Sequence, residues 1–187
     1  MIVAAAVRYF AEVGFSGTTR DLARRIGVSQ PLLYKYFESK ADLTEAVFEH
    51  VYLDRLKPGW PALIGDRSRP LRDRLLDFYA EYTQAIFTYE WMRIFMFAGL
   101  GGERLNRRYL EHVRDILLTP VLAEVEAAAR AAGGARLPDM EDMWNLHGSI
   151  VYLGIRKFIY QLPVPEDVGP VIARALERFL SDFVPRR

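Results

Sequence analysis

A chain of 187 residues, 51% hydrophobic and with 25 Lys/Arg against 24 Asp/Glu, can bury one or two small cores but is too near neutral to bind polyanions indiscriminately. Without cysteine it has no disulfide framework, no thiolate nucleophile and no Cys-held metal; this fits a reducing compartment, and the expected location is the cytoplasm. No apolar run has the length a bilayer demands, and residues 1–6 lack the basic start and long apolar core of a signal peptide, so no membrane partner is expected.

In chain order, residues 2–13 place Val3, Ala6, Val7 and Phe10 on one helical face, and Gly14 ends the segment. Thr18 with Asp21 has the form of a capping box and opens a helix bearing Leu22, Ala23 and Ile26 on one side. Gly27 offers the positive φ that a tight turn between helices requires. Ser29 caps a short helix to about Phe37, and Ser39 with Asp42 repeats the box for a helix expected from Lys40 to Lys57, where Pro58, Gly59 and Pro61 stop it. Two short helices joined by a glycine turn are the outline of a helix-turn-helix. Further helices are expected near 69–88, 90–99, 103–132, 138–162 and 166–184, with breaks at Gly101-Gly102, Gly133-Gly134 and the pair Pro163 and Pro165. Pro120 should kink or split the long segment that contains it. No stretch sustains a period of two, so the reading is all-α with nine or ten helices.

The helix after Ser29 is more than half of an ordinary hairpin. Leu33 and Phe37, four apart, can face a core together, aided by Ile26 and Val28. Gln30, Pro31, Leu32, Tyr34, Lys35 and Tyr36 are then left with little apolar work. From Ser16 to Lys40 five Lys/Arg stand against Asp21 and Glu38, a net +3 in a chain of net +1. Local positive charge with exposed aromatic and hydrogen-bonding groups suits a phosphate backbone better than bulk solvent.

These residues also carry a family likeness. The run TTRDLARRIGVSQPLLYKYFESKADL resembles the DNA-binding domain of the TetR family of bacterial transcriptional regulators, over about residues 1–50. The resemblance implies a three-helix DNA-binding domain over residues 1–48 and a helical ligand-binding and dimerisation bundle over 49–187. It also implies that Arg20 reads guanine from outside the recognition helix. Such proteins commonly carry a basic arm ahead of the first helix; here the helix starts almost at Met1, through a truncated start or a true lack of the arm.

A helix-turn-helix lays its second helix in the major groove with the N-terminal residues toward the base edges. Gln30, one residue past the Ser29 cap, can pair bidentately with adenine, and Pro31 and Leu32 can pack on thymine methyls. Tyr34 and Tyr36 can donate to phosphates, as can Lys40 and Thr19 near helix starts. Lys35 adds charge to the same face. Each has a plainer alternative: packed tyrosines, solvated charges, or Leu32 resting on a neighbouring helix.

Residues 68–162 are dense in aromatic rings, more than a closed bundle of this size needs, and the resemblance implies an effector pocket among them. The candidate lining residues are Trp91, Phe95, Tyr109, Trp144, His147 and Tyr152, for an apolar or aromatic effector. His147 lies in an apolar stretch, where a hydrogen-bonded core histidine is the commoner role. The last two segments carry broad apolar stripes, with Ile155, Phe158 and Ile159 on one and Ile172, Leu176, Phe179 and Leu180 on the other. A twofold dimer built on them would span two half-sites of a palindromic operator. The expectation is a homodimeric repressor of double-stranded DNA released by a small effector; the alternative is a dimeric DNA-binding protein acting through a protein partner. Enzyme chemistry, cofactors and metals are not expected: His50, His112 and His147 have no metal-ligand spacing, and no thiol nucleophile exists.

Overall fold

The computed structural model describes residues 2–101 and 104–184. Among these residues the secondary structure is helical throughout, with no strand. No helix there is long and apolar enough to cross a membrane. The eleven α-helices of the described residues are Ile2–Val13 (α1), Thr19–Arg25 (α2), Gln30–Tyr36 (α3), Lys40–Phe48 (α4), Trp60–Gly65 (α5), Leu71–Ile86 (α6), Tyr89–Leu100 (α7), Arg104–Val113 (α8), Thr119–Ala132 (α9), Met140–Phe158 (α10) and Gly169–Phe183 (α11). A π-helical turn, Glu49–Leu53, prolongs α4, and a second, Arg114–Leu118, joins α8 to α9, so ten continuous rods result. Gly102 and the expected helix start at 103 lie outside the described residues.

The chain packs as two compact units, residues 1–56 with 86–109 and residues 57–85 with 110–187. The boundary expected at 48/49 therefore falls inside the first unit, which takes in α7 and the start of α8 as well. Sequence spacing gave α1 a single buried face. Ala6, Val7, Tyr9, Phe10 and Ala11 are all buried because both α4 and α7 pack on it, while Val3 is only half-buried. Gly14 adopts φ +74 and its N–H returns to the Phe10 carbonyl at 2.9 Å, closing α1. A methyl group on Gly14 would meet the Phe97 ring at 3.0 Å, so α7 lies against this turn. Arg93 of α7 donates to the Ala11 and Glu12 carbonyls, satisfying acceptors that the end of a helix leaves free.

In the second unit, Trp60 is buried and donates its indole N–H to Glu81 at 3.1 Å; Lys57 meets the same carboxylate oxygen at 2.9 Å. Together these donors hold the Glu81 carboxyl below its ordinary pKa. Arg74, only 5% exposed, donates to the Ile64 carbonyl and to Glu124 at 2.9 Å, and Arg67 binds Glu124 from the solvent side. A buried guanidinium is tolerable because it is paired and hydrogen-bonded. α9 packs on α5, α10 and α11.

The structure departs from several sequence expectations here. The stretch from Pro58 to Pro61 is not only a breaker: α5 starts at Trp60, with Pro61 in its first turn, where a missing N–H costs nothing. α4 and its π-helical turn end at Leu53, short of Lys57. At Pro120 the long segment is divided as expected: its α-helical pattern gives way to the π-helical turn Arg114–Leu118, and α9 starts at Thr119 with Pro120 in its first turn. The π-helical turn just before it is wider than an α-turn and accommodates the ring that would otherwise clash with the carbonyl four residues back. Helix α10 stops at Phe158 and not at 162, and Gln161 takes the positive φ of +54 in the turn that follows.

Candidate nucleic-acid interface

The helix-turn-helix forms through the caps that its sequence specifies. Thr18 Oγ1 accepts the Asp21 N–H at 3.0 Å and its hydroxyl meets the Asp21 carboxylate at 2.7 Å, starting α2. Gly27 takes φ +72, and the Val28 N–H reaches back to the Ala23 carbonyl at 3.0 Å. Ser29 accepts the Leu32 N–H at 3.3 Å, and Pro31 sits in the first turn of α3. Ser39 and Asp42 complete a reciprocal capping box for α4. Leu33, 1% exposed, locks α3 down together with Leu22 and Ala23 of α2. Phe37, expected to join it in the core, is only half-buried. It lines an open apolar groove with Ile2, Val3, Val28, Leu32 and Tyr36.

The outward side of α3 presents large side chains that a folded core normally hides. Leu32 is 39%, Tyr34 41% and Tyr36 64% exposed, and Ser29, Pro31, Lys35 and Arg20 are exposed beside them. Isolated exposed apolar residues are common, but three large ones on a two-turn helix are not needed by the fold. The polar groups here are, by contrast, organised. Gln30 Nε2 donates to Thr19 Oγ1 at 3.0 Å, and the Tyr34 hydroxyl lies 3.0 Å from the same oxygen. Thr19, 8% exposed, is thus a buried pivot joining the first residue of α2 to two residues of α3. Its hydroxyl is committed within the protein, so it acts on the face through Gln30 and Tyr34 and not by direct contact. Gln30 retains its amide oxygen and a second N–H for a base edge, the pair a bidentate contact to adenine requires.

Lys40 is similarly engaged. Its ammonium donates to the Phe15 carbonyl, tying the start of α4 to the turn after α1. Arg24 pairs with Asp21 at 2.8 Å and Arg25 with Glu12 at 2.5 Å, whereas the structure gives Arg20 no such partner on its exposed position among the described residues.

The six residues expected to line a pocket are described within their own units, three in each. Trp91, Phe95 and Tyr109 belong to the first unit, where with Tyr52 they form a box of four rings. Trp144, His147 and Tyr152 belong to the second. There His147 is buried, its Nε2 lies 3.3 Å from the Tyr82 hydroxyl, and desolvation pulls its pKa down to about 4. Its Nδ1 and the hydroxyl of neighbouring Tyr79 have no partner among the described residues. Tyr152 is 49% exposed and edge-on to Tyr160, so it is a surface residue in this chain. Tyr52, the fourth ring of the first box, had no place among the expected residues. Its only sequence signal was its position on the helix that follows the recognition element. Of the expected dimer residues, Ile172 and Leu176 are 2% and 0% exposed and serve this chain's own core. Ile155, Phe158, Ile159, Phe179 and Leu180 remain half-buried.

Comparison with known proteins agrees with this geometry. Residues 2–47 match the profile of bacterial regulatory proteins of the tetR family. The class A tetracycline repressor protein from transposon 1721 of Escherichia coli is 34% identical over 85 residues, which is 41% of this chain and 39% of that repressor. The matched part thus spans well under half of the repressor's length. Among solved structures, a Clostridium perfringens protein named as a fatty acid metabolism regulator superposes with a TM-score of 0.71 at 17% identity, over 99% of both chains. The TetR family transcriptional regulator PfmR from Thermus thermophilus does so at 0.68 and 17%, over 100% of this chain and 99% of that one. At these identities the structures establish a shared fold. Residues 2–47 thus carry the sequence profile of the tetR family of bacterial regulatory proteins, and the chain as a whole shares the fold of the solved regulators.

Proposed function

We propose that the protein is a homodimeric repressor that binds a palindromic operator and releases it when a small apolar or aromatic effector binds. The observation that carries this reading is the outward face of α3, where Gln30, Pro31, Leu32, Tyr34 and Tyr36 stand exposed or half-exposed above a Leu33 anchor. Gln30 reads adenine, Pro31 and Leu32 take thymine methyls, Tyr34 and Tyr36 hold phosphates, and Arg20 reads guanine from α2. Thr19 positions Gln30 and Tyr34 through the two hydrogen bonds described above.

One helix-turn-helix covers a short half-site, so a twofold pair with recognition helices roughly 34–36 Å apart is the natural reader. The half-buried apolar residues of α10 and α11, with exposed Tyr152, Tyr160 and Leu162, support a second copy of the chain as the covering partner. An effector then acts by binding the DNA-incompetent spacing more tightly, typically with about 1–3 kcal/mol of coupling. The protein works in the cytoplasm on this reading.

Selection of operators from a random duplex library, followed by gel shifts of the selected sequence, tests it. The expected result is an inverted repeat bound by two chains, with light scattering giving a dimer at micromolar concentration. A selected site without dyad symmetry, or no enrichment at all, overturns the reading.

A further inference from the structure

The ring box of the first unit holds two polar atoms that the protein leaves unmatched. Tyr52 and Trp91 are each 1% exposed, and neither the Tyr52 hydroxyl nor the Trp91 indole N–H has a hydrogen-bond partner among the described residues. Buried tyrosine and tryptophan nearly always place these groups on a partner, so two orphans in one cluster call for an occupant. The rings are in mutual contact. Tyr52 lies 4.9 Å from Tyr109, 5.4 Å from Trp91 and 6.4 Å from Phe95, centroid to centroid, and Trp91 stacks on Phe95 at 5.0 Å and 14°. That spacing leaves no room for a molecule between the rings, so the two unmatched atoms themselves mark the place where an occupant would meet the cluster.

Local backbone adds a second, independent sign. Tyr52 sits on the π-helical turn Glu49–Leu53, an irregularity frequent at functional sites, where it re-aims side chains.

The chemistry of the orphans narrows the occupant. An indole N–H only donates, so whatever meets Trp91 brings an acceptor. Burial pushes the Tyr52 hydroxyl's pKa well up, which keeps it protonated and able to donate alongside. The nearby guanidiniums are already engaged, Arg108 by Glu45 and the Phe48 ring and Arg55 by Thr88, so a carboxylate placed here would lose its hydration for little compensation, whereas a neutral carbonyl would not.

We infer that the Tyr52 hydroxyl and the Trp91 indole N–H form the polar head of a ligand site, taking the neutral carbonyl oxygen of an apolar or aromatic molecule such as a ketone, ester or lactone. This deepens the effector-responsive reading and rests on it for its regulatory meaning. The site also has a route to the DNA face inside one unit. Tyr52 lies on the continuous rod that begins with the Ser39–Asp42 box, and that box follows the end of α3 by two residues.

The test uses the DNA-free full chain labelled with nitrogen-15 and three probes: acetophenone, its hydrocarbon isostere cumene, and benzoate. The Trp91 indole cross-peak is identified by its loss in Trp91→Phe. Acetophenone should move that peak downfield while leaving those of Trp60 and Trp144 in place; cumene should move it far less, and benzoate should bind at least about tenfold more weakly than acetophenone. Tyr52→Phe should weaken acetophenone by about tenfold, the loss expected of one buried hydrogen bond. An indole peak that ignores acetophenone up to its solubility limit, or cumene matching acetophenone, overturns the inference even if Tyr52→Phe proves unfolded. Preferential binding of benzoate overturns the neutral-carbonyl assignment. Because DNA is absent, these outcomes are separate from the operator test: acetophenone that binds without loosening the operator would sink the effector role and leave the site standing.

Discussion

The recognition face and the ring box of the first unit invert one another. On α3 the apolar groups stand in solvent while Gln30 and Tyr34 are hydrogen-bonded to Thr19; in the box Tyr52 and Trp91 are buried, and the Tyr52 hydroxyl and the Trp91 indole N–H have no partner among the described residues. Folding alone favours neither arrangement, since it buries apolar surface and pairs buried polar groups. An exposed apolar face with pre-oriented polar groups suits a large wet partner such as a DNA groove. A packed apolar site with unmet donors suits a small molecule that carries its own acceptor.

The largest effect should come from the anchor beneath the first region. Leu33→Ala removes a 1% exposed side chain and is expected to destabilise the helix-turn-helix by about 2–5 kcal/mol, read as a lowered urea midpoint. Tyr36→Ala, on the open side of the same helix, should leave that midpoint unchanged. Equal destabilisation by both would mean that α3 has no free face.

The second unit offers a third case, a buried histidine with an unmatched nitrogen. His147 is held neutral with a pKa of about 4, whereas the unfolded chain binds a proton below about 6.5. The folded state should therefore lose stability as pH falls from 6.5 toward 4, by on the order of 3 kcal/mol once below that range. His147→Leu should flatten urea midpoints between pH 6.5 and 5, above the range where the lowered carboxyl groups of Glu81, Glu124 and Asp142 titrate. An unaltered slope in the variant would show that His147 meets solvent.

Smaller changes separate reading from positioning. Gln30→Ala should cost about 1–3 kcal/mol at one base pair of the selected operator and relax specificity there, measured by competition gel shifts. Thr19→Val, which keeps the shape but loses the hydroxyl, should cost about 0.5–1.5 kcal/mol at the same base pair, while Thr19→Ser should bind as the parent does. A Thr19→Val effect spread evenly over all sequences would assign Thr19 to folding and not to the orientation of Gln30.

Local chemistry settled much of this protein before any tertiary contact. Thr18, Ser29, Ser39, Gly14 and Gly27 act on backbone groups within a few residues of themselves, so the end of α1, the turn after α2 and the starts of α2, α3 and α4 follow from the sequence. The family likeness resides in the same short span. What packs on what did not follow, because helical periodicity marks an apolar face without naming its partner. Both sides of α1 are covered since α7 returns to it from more than seventy residues away, and α5 was concealed by prolines that its first turn tolerates. The split of the expected pocket residues between two units, the π-helical turn under Tyr52, and the engagement of Thr19 and Lys40 inside the protein all depend on side chains distant in the chain. Only the folded chain, by choosing which polar atoms find partners, decided that the Tyr52 hydroxyl and the Trp91 indole N–H would have none among the described residues.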